Sequence, residues 1–204
     1  MTIKFLIFIY NISMHSFAQY ISSQNSIANK IQNGLTLDIL INSIWELARD
    51  SDSIVFTIGN GGSASTAEHF SADLGQMEKR TGQAIRSFCL NSQIALSSAF
   101  ANDYEYSSVI ARQLSAFKNS NYILVAFSAS GRSKNILEAI KFSLEAKKEV
   151  HCFIGFNGGE IINIKNANLI YFPDPKQDYG IVENLHLTAS HYIVDRLVEK
   201  FSGN

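Results

Sequence analysis

Four residues of this 204-residue chain have the types and spacing that proton transfer or metal binding requires: His69, Asp73, Glu183 and His191. His69 and Asp73 are four apart, so on a helix an imidazole and a carboxylate share one face and can act on a single atom. Glu183 and His191 are eight apart, within about 80° of each other around a helix of 3.6 residues per turn. If the segment carrying the second pair packs over the first, two imidazoles and two carboxylates converge. Such a set can bind Zn²⁺ or a similar metal, or perform acid–base chemistry, and spacing alone leaves both open. His186 is three residues after Glu183 and five before His191, so it faces elsewhere and reads as structural.

A second group is Ser128-Ala129-Ser130-Gly131-Arg132-Ser133. Three hydroxyls and the free N–H groups of a helix start suit the three oxygens of a phosphate monoester. The turn lacks the lysine of a nucleotide P-loop and the GxGxxG dinucleotide pattern, which favours a sugar phosphate over a nucleotide. A cluster of capping serines with no ligand is the competing reading.

The elements that must position these groups are strand–turn–helix units. Residues 53–76 (SIVFTIGNGGSASTAEHFSADLGQ) begin with the apolar, β-branched run of a buried strand. The run breaks at Gly59-Asn60-Gly61-Gly62, and Ser63 is expected to cap the helix that carries Glu68, His69 and Asp73. Residues 121–146 repeat the design, with a strand over Ile123 to Phe127 that runs into the serine turn and a helix. Further strands are expected at 83–90, 151–156 and 168–172, the last stopped by Pro173 and Pro175. Helices are expected at 93–101, 106–117 and 181–201, the last carrying Glu183 and His191. Strands alternating with helices imply an α/β fold with a doubly wound, mostly parallel five-stranded sheet, and ligands gather at the carboxyl ends of its strands.

Ahead of this core, residues 15–50 read as two helices. Leu37, Leu40, Ile41, Ile44, Trp45 and Ala48 lie on one apolar face of the second. Such an arm either joins two subunits or covers the sheet. Residues 1–14 form an extension in which FLIFIY follows a single lysine, too short to span a bilayer and without a small-residue cleavage pattern. The expectation is a cytoplasmic protein without a membrane segment, and Met14 is an alternative start. Residues 15–204 read as one domain.

A net charge of −1 excludes a basic footprint for nucleic acid. Charged residues are 17% of the chain against 46% hydrophobic, a lean surface that points to apolar area buried between subunits. Cys89 and Cys152 sit in apolar runs and read as buried thiols of a reducing compartment.

GNGGSASTAEHFSADL (59–74), ANDYEY (101–106), FSASGRS (127–133) and IVENLHLTASH (181–191) occur together, in order. In this combination the chain resembles the sugar isomerase (SIS) domain family, in its phosphoheptose isomerase branch, from about residue 15 to 201. The resemblance implies a flavodoxin-like doubly wound subunit and a homotetramer with active sites at subunit interfaces. It implies conversion of sedoheptulose 7-phosphate to D-glycero-D-manno-heptose 7-phosphate through an enediol. By matched position, the turn of Ser128, Ala129, Ser130 and Ser133 would hold the phosphate. Asn60, Gly61, Gly62, Ser63, Asn102 and Asp103 would line the sugar site. His69, Asp73, Glu183 and His191 fall on the family's metal and catalytic positions, with Zn²⁺ or another divalent ion as the implied cofactor and Asp73, Glu183 and His191 as the implied catalytic groups.

The chain departs from the family at Asp73, where Glu is usual, and at Glu183, where Gln is usual. The first shortens a carboxylate by one methylene; the second adds a negative charge. Ala129 and Arg132 stand where Thr and Asn are common. Two other readings share the resemblance: a non-catalytic SIS protein that binds the replication initiator DnaA, and a phosphosugar-sensing domain.

Overall fold

The computed structural model of the chain describes residues 16–29 and 34–203. The N-terminal extension and the alternative start at Met14 lie outside the described residues. Helices α1 (Phe17–Ala28) and α2 (Gly34–Leu47) precede β1 (Ile54–Ile58), α3 (Gly62–Gly75), α4 (Met77–Thr81) and β2 (Ser87–Cys89). Then follow α5 (Ile94–Asp103), α6 (Val109–Ser115), β3 (Tyr122–Ser128), α7 (Lys134–Glu145), β4 (Glu149–Phe156), β5 (Asn168–Pro173) and the long α8 (Tyr179–Phe201).

All five strands are parallel, in the order β2-β1-β3-β4-β5. β3 is central and buried along its whole length, which explains its unbroken apolar sequence. Pro173 closes β5 at the sheet edge, where its missing N–H costs no ladder bond. One face of the sheet is covered by α1, α2, α3 and α8, with Phe70, Phe127, Phe153, Phe172 and Leu197 in its core. The other is covered by α6 and α7, around Phe56, Leu114, Tyr122 and Ile140. Winding reverses between β1 and β3, so the turns that follow these two strands flank a crevice at the carboxyl edge.

Local differences from the sequence expectations have physical causes. The first helix of the core starts at Gly62 with Gly61 as its cap (φ 54°, ψ −127°), so Ser63 lies inside the first turn. Glycine alone takes that backbone without strain, which moves the cap two residues earlier. The strand expected at 83–90 shortens to three residues: Gln83 donates its amide to the Ala48 carbonyl ahead of it, and Leu90 enters a 3₁₀ turn over Leu90–Ser92 after it. The helix expected at 106–117 is a 3₁₀ turn over Tyr106–Ser108 followed by α6. The N-terminal helices cover the sheet: Ile27, Leu40, Ile41 and Ile44 are all in its core. α5 differs from the other long helices in burying none of its residues; Ile94 is 77% exposed.

Candidate active site

The turn after β1 is clamped from both sides. The Asn91 side chain accepts from the Gly59 N–H (3.0 Å) and donates to the Gly59 carbonyl (2.8 Å). Thr57, fully buried, donates its hydroxyl to the Ala67 carbonyl and ties β1 to the middle of α3. α3 therefore leaves the sheet in a fixed direction, with its N-terminus at the crevice.

The turn after β3 is braced by backbone. Gly131 sits at φ 64° and packs so closely on the Gly158-Gly159 segment that a Cβ there would collide with the Gly158 carbonyl. The Gly131 carbonyl accepts from the N–H groups of Glu160 and Ile161, and the Ala129 carbonyl from that of Gly155. The Ser128 hydroxyl accepts from the Gly131 N–H (3.1 Å) and the Ser130 hydroxyl from the Arg132 N–H (3.3 Å). An accepting hydroxyl keeps its own proton to donate, so both serines are set to donate to an anion. Ser133 caps α7 without a side-chain cap bond, and Arg132 reaches Asn157 Oδ1 at 2.9 Å.

These two turns and the first turn of α8 enclose a cavity of about 330 Å³. Asn60, Gly61, Gly62 and Ser63 line one side, and Ser128, Ala129, Ser130 and Ser133 the other. Phe127, Tyr179 and Glu183 complete it. Burial raises the Glu183 carboxyl above its ordinary range, and the Ser63 N–H donating to it pulls the other way. The carboxylate thus meets the N-terminus of α3, where helix amides favour negative charge. Its approach also explains Gly62: a Cβ at that position would run into the Glu183 carboxylate.

α3 and α8 pack against each other and bring His69, Asp73 and His191 together. Asp73 Oδ2 lies 3.4 Å from His69 Nε2 and 3.8 Å from His191 Nε2, and the two imidazole nitrogens are 2.9 Å apart. One Nε2 donates to the other, so only one of these two nitrogens carries a hydrogen in this contact. All three ligand atoms lie within 4.8 Å of one another, and both histidine side chains are about half exposed. Two imidazoles and a carboxylate, open on one side, fit a catalytic Zn²⁺-type ion, which takes three protein ligands and leaves a position free. Glu183 is outside this set and faces the serine cavity instead.

Asn102 and Asp103 are exposed at the end of α5 and line a separate hollow with Arg112. Within one chain they do not reach the serine cavity. His186 is buried against Phe127, Phe153 and Phe172, as a structural residue should be. Tyr179 and Asn135 are additions. Tyr179 lies four residues before Glu183, a spacing that already places both on one helix face. Asn135, paired with Asn60, carried no signal beyond its place two residues after Ser133.

No helix among the described residues is long and apolar enough to cross a membrane. The family model for the SIS domain matches residues 19–158. A phosphoheptose isomerase from Helicobacter pylori is 32% identical over 148 residues, covering 72% of this chain and 76% of its own. The structure of phosphoheptose isomerase from Neisseria gonorrhoeae aligns with a TM-score of 0.76 at 25% identity, over 89% of this chain and 94% of that one. That of a phosphoheptose isomerase from Francisella tularensis reaches a TM-score of 0.78 over 98% and 100%; at 23% identity it speaks to the fold. The chain therefore belongs to the SIS-domain family, in the branch that holds the phosphoheptose isomerases.

Proposed function

We propose that the protein is an aldose–ketose isomerase that converts sedoheptulose 7-phosphate to D-glycero-D-manno-heptose 7-phosphate through an enediol, supplying heptose for surface glycans. The observation that carries this reading is one cavity with a phosphate-type serine turn on one side and a desolvated carboxylate, Glu183, on the other. The relatives' names agree with it.

In this reading Ser128, Ser130 and Ser133 anchor the phosphate, and remote binding energy orients the carbons that react. Glu183 removes the proton from C1 of the ketose; burial raises its pKa and so makes it a stronger base than an ordinary carboxylate. Asp73 is engaged by two imidazoles, which leaves Glu183, at the serine cavity, as the carboxylate free to take the proton. His191 protonates O2 as the C1–C2 enediol forms. Glu183 then returns that proton to C2 while O1 gives its own to His191, which leaves the aldehyde and restores both groups. His69, Asp73 and His191 would hold a divalent ion, which when bound would take the place of the His191 proton by polarising the substrate carbonyl.

The same reading makes residues 15–204 one SIS domain that works in the cytoplasm as a homotetramer. The bare apolar surface of α5 supports self-association, and Asn102 and Asp103, outside their own chain's cavity, would face the site of a neighbouring copy. Proton NMR of purified protein with sedoheptulose 7-phosphate tests the activity, with fructose 6-phosphate as control and with and without chelator. Aldose anomeric signals from the heptulose alone, reduced by chelator, are expected. Absence of turnover on any phosphosugar while binding persists would replace the enzyme reading with a partner-binding one.

A further inference from the structure

The Asn60 side chain does not point freely into the cavity. Its Nδ2 donates to Asn135 Oδ1 at 2.8 Å, and Asn135 Nδ2 donates back to Asn60 Oδ1 at 2.9 Å. The two amides form a reciprocal pair that joins residues 75 apart in sequence. Asn135 is 3% exposed and sits in the first turn of α7, two residues after Ser133. Asn60 belongs to the turn that launches α3. A third bond, from the Tyr106 hydroxyl at 3.2 Å, also ends on Asn60 Oδ1. That oxygen is then saturated, and Asn60 keeps one Nδ2 hydrogen and its backbone for any ligand.

We propose that Asn135 is a positioning residue that locks the turn after β1 to the serine turn after β3, and so sets the distance between phosphate anchor and reacting carbons. The proposal rests on the reading of this cavity as a phosphosugar site. Each turn already has its own brace: Asn91 holds Gly59, and the Gly158-Gly159 segment holds Gly131. Among the described residues, the Asn60–Asn135 pair is the side-chain hydrogen bond that spans the crevice between the two turns. A planar pair with two bonds resists both sliding and twisting, which a single bond does not. Because Asn135 is buried, water does not compete for its amide.

The test is Asn135→Leu, similar in volume and unable to bond. Three quantities are read: kcat and KM for sedoheptulose 7-phosphate, the Kd of inorganic phosphate by ³¹P NMR, and hydrogen exchange of the Ser63–Ser65 amides in ligand-free protein. The expected result is phosphate affinity within about 2-fold of wild type, kcat lower by about 10²-fold with KM changed much less, and faster exchange at Ser63–Ser65. Unchanged exchange in a folded variant, or loss of phosphate affinity as large as the loss of kcat, would overturn the proposal. If the wild type turns over no phosphosugar yet the variant still loosens Ser63–Ser65, the isomerase reading fails and the lock stands. If the variant does not fold, exchange of the Asn60 and Asn135 side-chain NH₂ protons in the wild type decides. Slow exchange supports the pair, and exchange at the rate of a free amide refutes it.

Discussion

His186 and His191 are five residues apart on one helix, and their surroundings are opposite. His191 is half exposed, 2.9 Å from a second imidazole and 3.8 Å from a carboxylate. His186 is fully buried among three phenylalanine rings, and among the described residues neither of its ring nitrogens has a partner at full hydrogen-bond geometry. Burial drives its pKa down to about 4; the nearby Ile154 carbonyl offsets this only in part. The same side chain is thus an accessible group beside an imidazole and a carboxylate on one face of α8, and a neutral, aromatic-like filler on the other. Five residues on a helix turn the chain by about 140° beyond a full circle, and that rotation separates chemistry from packing.

Breaking the exposed member should give the largest effect. His191→Ala is expected to lower kcat on sedoheptulose 7-phosphate by about 10²- to 10⁴-fold. It should leave the melting temperature nearly unchanged, since the lost atoms are half in water. Steady-state kinetics beside a thermal melt checks both.

The buried member sharpens the contrast through pH. Unfolded, His186 titrates near 6.5; folded, near 4. Between these values the unfolded chain binds a proton that the native state refuses, so stability falls as pH drops through this window. The shift corresponds to about 3 kcal/mol, lost by pH 4. His186→Leu should remove that part of the acid sensitivity while leaving turnover within about 3-fold of wild type, because no bonded partner is orphaned. Urea titrations of both proteins at pH 7 and pH 4.5 measure the difference.

The third functional position on α8 is reached from outside the helix. In Gly62→Ala the new Cβ meets the mobile end of Glu183, not backbone, so the protein should fold normally and the carboxylate should move. We expect kcat to fall about 10-fold, with phosphate affinity held. A crystal structure of the variant with phosphate would show the displaced side chain.

Much of this was legible in the chain. Buried strands ending in Gly59-Asn60-Gly61-Gly62 and in the serine turn were apparent because apolar runs and glycine-rich breaks are local signals. They led directly to the parallel five-stranded sheet. Helical spacing alone separated His186 from His191. Long-range pairing was not legible: nothing local says that Asn135 spends its amide on Asn60, or that the Glu183 carboxylate accepts from the Ser63 N–H at the start of α3. Spacing put Glu183 in a four-residue set, whereas in the packed helices it lines the serine cavity and three ligating groups remain together. The exposure of α5 was not legible, because a local apolar pattern does not say which face a neighbouring element covers.

The most direct test of the account is turnover of sedoheptulose 7-phosphate by the wild type, His186→Leu and His191→Ala, side by side at pH 7.5. The account predicts comparable aldose formation by the first two and a loss of at least about 100-fold in the third. Equal rates in His191→Ala, or no aldose from any of the three, would contradict it.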